Sequence, residues 1–591
     1  NFIIDSNSRL SLSNNDSGGT GGSDSTSANT LLGYLAGDDI ASGGVNNSFV
    51  GHAAGHKNTT GDENSGFGRY AGFGNLTGNN NTFVGSSAGL SDNGSSHSNN
   101  TGIGKSSLTA LTTGASNVAV GTNAGAAITT GGSNVIIGTE AGDGFTANTT
   151  MTLIGHQAGT TINSNNANGT VAVGYLSLGA LTGGAENTAL GSRSGDAATN
   201  ASGSVFLGFD AGGTVTTGNR NIAIGLDAMN GGATTGDNNI AIGAKSGDAL
   251  TSGIMNVLMG TDAGGALNSG HENVVMGANA LLSATTAGYT VAIGNSAMGG
   301  AVTTGDSNTG VGASTMYFNT SGNQNVGVGH FAGFYNVTGA NNVYIGYNSG
   351  KGASGQSNSN NTAVGIGALQ SITTGGNNTV MGRLAADAIT TGGNNVIIGD
   401  SALGAATTVT ETVAIGGDAM SLVQAGQAIS GVVAIGQNAL KGGSTTSLIS
   451  NTIAIGKDAL KVLTTGSKNI AIGYQALMDM TTGDKNTAVG YEALENCVDG
   501  LNNTALGYQA LTADAGNNNV GLGHLALRAT TGNENTAVGS YASHNIGAGV
   551  NNTSLGQNSL VDVVDGSQNV AIGSQAIGGT LGTTADNASD L

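Results

Sequence analysis

Several short stretches of this chain carry residue types at spacings that catalysis or ligand binding uses. Gly85-Ser86-Ser87-Ala88-Gly89 fits the G-x-S-x-G spacing of a nucleophile elbow, in which a strand-to-helix turn lifts a serine hydroxyl toward a base. Gly104-Lys105-Ser106 ends like a phosphate-binding loop, but Asn99 stands where that loop needs its first glycine. Gly327-Val328-Gly329 is the kind of glycine pair that lets a dinucleotide approach the backbone at a helix N-terminus. His52 and His56 lie four apart, as metal-binding histidines can. Cys497 is the only cysteine, so it forms no intrachain disulfide, and it matches no metal-ligand pattern.

The elements that would have to position these groups argue against the chemistry. No segment has a sustained helical period, and the glycine motifs fall in the frame of a tandem repeat that generates them everywhere. His52, His156, His330 and His524 share one repeat position, but Tyr34, Tyr175, Tyr347, Tyr474, Tyr491 and Tyr508 occupy it too. Such a row reads as a variable solvent-facing site, not as the fixed cluster a metal needs. The glycine-rich nonapeptide of calcium-binding β-rolls does not recur. The sequence therefore offers no catalytic residue, no cofactor-binding residue and no metal ligand, and it reads as a non-enzymatic chain without a cofactor.

Composition points the same way. Of 591 residues, 107 are Gly, none is Pro or Trp, and only 8% are charged. A triple helix is excluded because it needs Pro between regularly spaced glycines. Disorder is excluded because 38% of the residues are hydrophobic and strictly spaced. The net charge of −20 would repel nucleic acid and anionic membrane surfaces. No run of about 18 apolar residues and no basic-then-apolar leader is present, so neither membrane insertion nor a signal peptide is expected.

Aligned on an apolar-Gly step running from Gly33 to Gly573, the chain contains 32 copies of a repeat spaced mostly 17 residues apart. The expected fold is all-β: a parallel β-solenoid, or β-roll, of about 32 coils. Residues 1–28 form an N-terminal lead-in or cap, 29–580 the solenoid and 581–591 a C-terminal tail. The residue before each marker Gly is apolar in every copy, and two positions earlier stands Val, Ile, Thr or Ser, as in Val118 and Val120 or Ile470 and Ile472. That alternation reads as a strand, with these two positions filling the coil and the Ala or Gly between them, such as Ala119, Ala223 and Ala471, facing outward. A strand apolar on both faces needs cover on both, so copies of the chain are expected to associate.

Turn chemistry fills the rest of the repeat. Three residues after the marker stands Ala in 25 copies, and Ser or Thr in seven, at a tight corner or a close inter-chain approach. A Thr-Thr-Gly triplet recurs eleven times, its Gly suiting a positive-φ turn. Asn stands four before the marker in 25 copies, either as a side-chain ladder along the stack or as a favoured turn residue. Ser/Asn-rich loops at Ser96–Asn100, Asn163–Asn168 and Gln356–Asn361 lengthen three coils. They read as relics of four-coil duplication or as contact points along one side.

Segments such as Asn469-Ile470-Ala471-Ile472-Gly473-Tyr474-Gln475-Ala476-Leu477 resemble the head repeats of YadA-like trimeric autotransporter adhesins, and more closely the related repeats of phage tail-fibre proteins. Ser8–Asp16 resembles the start of such fibres from marine phages. The resemblance implies a left-handed β-roll, a homotrimeric fibre at the virion surface or otherwise extracellular, and a host-surface receptor or glycan as partner. On that footing the chain reads as a structural and adhesive fibre, a phage tail fibre or similar virion appendage. The alternative is a bacterial cell-surface adhesin or extracellular filament. Ice binding, prompted by the Thr rows, ranks below both because the paired threonines sit at a turn.

Overall fold

The computed structural model describes residues 28–577 apart from 42, 93, 425–428 and 444–448, together with the dipeptides 3–4 and 10–11. The expected tail and nearly all of the lead-in lie outside the described residues. From Thr30 to Ile572 the chain forms 32 strands of three residues each, with no helix among the described residues. Within each unit successive strands pair parallel and in register, Val118 opposite Val135 and Val120 opposite Ile137, and Ile470 opposite Thr487. The protein is thus an all-β parallel β-solenoid. Residues 1–290 and 291–591 form two compact units, holding fifteen and seventeen of these strands.

The marker glycine is what lets each strand end and the next coil stack. Its φ is +140° at Gly121 and +141° at Gly473, a conformation side chains strongly resist. A Cβ at Gly473 would also lie 2.1 Å from the carbonyl oxygen of Gly490 one coil on. Conformation and close stacking each demand glycine here. Among the Thr-Thr-Gly glycines Gly466 meets the expectation at φ +128°, whereas Gly114, Gly375 and Gly483 lie outside the positive-φ region. These three are held to glycine by contact alone, since a Cβ would meet the next coil's backbone oxygen at 2.2 to 2.4 Å. Positive φ falls instead on side-chain-bearing residues nearby, such as Lys468 and Gln475.

The strand faces are the reverse of those expected. Ala119, Ala223 and Ala471 are fully buried, whereas Ile472 is 37% and Leu190 49% exposed. The coil interior is too narrow for two rows of branched side chains. It takes the single middle row, packed against the corner alanines such as Ala124 and Ala476 and a third buried row seven after the marker, including Leu111, Ile372 and Met480. The Ala corner therefore belongs to the coil interior.

Where the middle residue is aromatic, glycine four after a marker makes room. A Cβ at Gly212 would touch the Phe206 ring, one at Gly350 the Tyr344 ring and one at Gly89 the Phe83 ring, all within 2.5 Å. Where the middle residue and its counterpart one coil on are both Ala, as at Ala471 and Ala488, the same position carries a buried large side chain, such as Leu477 and Leu494. Interior volume is thus traded between two rows, as close packing requires.

A buried asparagine ladder runs beside the core. Asn325 Nδ2 donates to Asn308 Oδ1 (3.2 Å) and to the Gly339 carbonyl (2.9 Å). Its Oδ1 accepts both the backbone N–H and Nδ2–H of Asn342, each at 3.0 Å. Every polar atom of the side chain is matched, as a buried amide must be. In the first unit the same pattern links Asn100, Asn117 and Asn134. It pauses at Thr290, whose backbone N–H still bonds Asn273 Oδ1 while its hydroxyl turns to the Gly288 carbonyl.

Candidate functional site

Each strand presents its first and third residues outward, so one face of the sheet in each unit is a double row of Val, Ile, Thr, Leu and Met. The third residue is apolar in all 32 strands. Exposures of 36% at Val84, 40% at Leu207, 50% at Met381 and 48% at Leu555 show the row open along both units. At about 60 Å2 open per side chain, one row of fifteen leaves on the order of 900 Å2 of apolar surface, above the few hundred typical of a lone soluble protein.

Beyond the marker, the next position carries surface aromatics that stack from coil to coil. Tyr474, Tyr491, Tyr508 and His524 follow one another at 5.1 to 5.3 Å with rings 8° to 19° apart. The exposed Tyr491 phenol is pushed up to about 12, chiefly by its hydrogen bond to Glu492. Near the start of the solenoid His52 lies between Tyr34 and Tyr70, and His156 stacks on Tyr175. The shared histidine position is a ring-stacking row.

A denser aromatic cluster lies in the second unit. Seven of the chain's 23 Tyr and Phe (12 + 11) stand between Tyr317 and Tyr347, a concentration the motif search passed over and a count along the chain would have found. Tyr317 stacks on Phe334 (5.4 Å, 13°) and Phe318 on Tyr335 (5.4 Å, 5°). Tyr344 alone of the seven is buried. Its hydroxyl bonds the Asn358 side chain.

The sequence motifs come together with no partner for catalysis. Ser87 is a turn residue at φ +60°, half buried, beside exposed Ser86 and with no helix following. Lys105 lies exposed on the surface, and Asn99 holds a turn at φ +61°. Gly327 is buried in the coil and Gly329 is a marker. His56 groups with Asp38 and Asp39 and not with His52, its Nδ1 3.9 Å from Asp38 Oδ2. Asp38, Asp39 and His56 are close enough to share an ion, but both aspartates are exposed and Lys57 Nζ already sits 2.9 Å from Asp39 Oδ2. Cys497 is buried in the core row, and desolvation pushes its thiol up to about 11, which suits packing and not reactivity.

No family model matches this chain, and no curated protein matches it.

Proposed function

We propose that the chain is the subunit of a structural and adhesive extracellular fibre, a phage tail fibre or comparable virion appendage that contacts a host, in which three copies associate. The supporting observation is the outward strand face, whose third residue is apolar in every coil and whose open row is larger than a soluble monomer usually leaves exposed. Association would bury that face, while the acidic charge, −60 for three chains (3 × −20), would limit bundling of finished fibres. An enzyme draws no support from the surface motifs, whose members sit in repeated turns. Ice binding draws no support from a matched double row either, since the first hydroxyl of each Thr pair is spent along the stack, Thr112 Oγ1 on the Thr129 carbonyl and Thr481 Oγ1 on the Val498 carbonyl, leaving one exposed Thr per coil, such as Thr113 and Thr482. Sedimentation equilibrium of the full chain tests the assembly, with three times the chain mass expected and a stable monomer counting against it. Micrographs of source material labelled with an antibody to the chain test its attachment to virions. Labelling confined to cell surfaces would favour the bacterial adhesin instead.

A further inference from the structure

The second unit's aromatic cluster ends at a cleft, and the repeat explains why. Phe318 and Tyr335 occupy equivalent positions in successive coils and stack; the equivalent residue one coil on is Gly352, which has no ring to continue the column. The coil that supplies Gly352 is one of the three lengthened by a Ser/Asn-rich loop, and there the chain turns through positive φ at Gly352 and Gly355. In the neighbouring row Tyr317 and Phe334 are followed by Lys351, whose Nζ lies 5.6 Å from the centre of the Phe331 ring. The stop in the column opens a cleft of about 370 Å3 between Tyr335, Lys351, Gly352, Gln370 and Ser371.

We propose that this cleft binds an oligosaccharide. The assignment rests on the adhesive reading above and deepens it by naming a ligand class and a place. A sugar ring has one apolar C–H face and a rim of hydroxyls. An aromatic platform takes the face, and amide, hydroxyl and ammonium groups take the rim. Tyr335, backed face to face by Phe318 and braced edge-on by Phe334, provides the platform; Lys351, Gln370 and Ser371 provide the polar rim. Lys351 is the only charged group lining the cleft and would favour sugars bearing a carboxylate. The chain's net charge of −20 makes a nucleic acid a poor occupant, and the polar lining suits a lipid tail badly.

The test uses the full chain in saturation-transfer NMR with maltohexaose, mannan fragments and oligogalacturonate as probes, alongside binding to host or bacterial cells. Tyr335→Ala should weaken sugar binding about tenfold, and Lys351→Ala should weaken oligogalacturonate more than the neutral probes. Ser371→Tyr, at an exposed position, should fill the cleft with the rings left in place, and circular dichroism should match the parent for all three. A parent chain that adheres to cells while none of the probes binds, or whose sugar and cell binding survive all three substitutions, overturns the site and leaves the adhesive reading standing. A parent that adheres to no cell overturns that reading, and this inference with it.

Discussion

His97 is nearly fully buried, edge-on to Phe83 at 5.6 Å, with Nδ1 3.5 Å from Asn81 Oδ1. Burial lowers its pKa from 6.5 to about 4. Because the folded state holds the neutral ring and the unfolded chain takes the proton more readily, the stability this group contributes is present above pH 6.5. It is lost as the pH falls from there to about 4, by at most about 3 kcal/mol. Hydrogen exchange of amides around residues 81–104 should therefore show protection declining through that window, and His97→Gln should flatten the decline. A second residue-scale expectation concerns the ladder. Asn325→Ala would strand the buried Asn342 backbone N–H and take one partner each from Asn342 Nδ2 and the Gly339 carbonyl, which keep the Asn358 carbonyl and Asn336 Nδ2, at a cost of about 2 kcal/mol. Asn325→Thr should cost less, because Thr290 already interrupts the ladder with its hydroxyl satisfied locally; local exchange rates would compare the two.

At the scale of one coil, the marker glycine is the most demanding position. Gly473→Ala meets both a φ of +141° and a contact of 2.1 Å with the Gly490 oxygen. It should cost about 3 kcal/mol or more, read as a new protease-sensitive point at that coil, whereas Tyr474→Ser one residue on should cost about 1 kcal/mol. The strand, its period and the coil count were legible because a three-residue alternation followed by glycine repeats 32 times. The direction of the faces was not, since Val-Ala-Val is apolar on either side and the choice falls to available volume. Phe206 with Gly212 and Tyr344 with Gly350, set against Ala471 with Leu477, held the missing signal: only side chains sharing one interior need such compensation. The cleft beside Tyr335 was half legible, as the lengthened coil was noticed but the rings it truncates were not.

For the whole molecule, the inverted faces sharpen the test of association. Ile472 is partly open and Ala471 closed, so Ile472→Asp should leave the coil folded yet disrupt the proposed trimer, while Ala471→Asp should unfold the coil by burying a charge. Sedimentation and circular dichroism on the two variants separate these outcomes; if Ile472→Asp assembles like the parent, the outward face is not the interface. The same regularity has a genetic consequence. Each marker glycine is tied to the coils on either side in the same way, as the Gly473 N–H bonds the Ile455 carbonyl one coil back and its Cα packs on Gly490 one coil on. Excising residues 474–490 would join Gly473 to Tyr491 and restore an equivalent set of contacts. Gain or loss of one whole repeat should therefore leave every remaining coil its stacking partner, so that coil number is open to hereditary change while the coil itself is not.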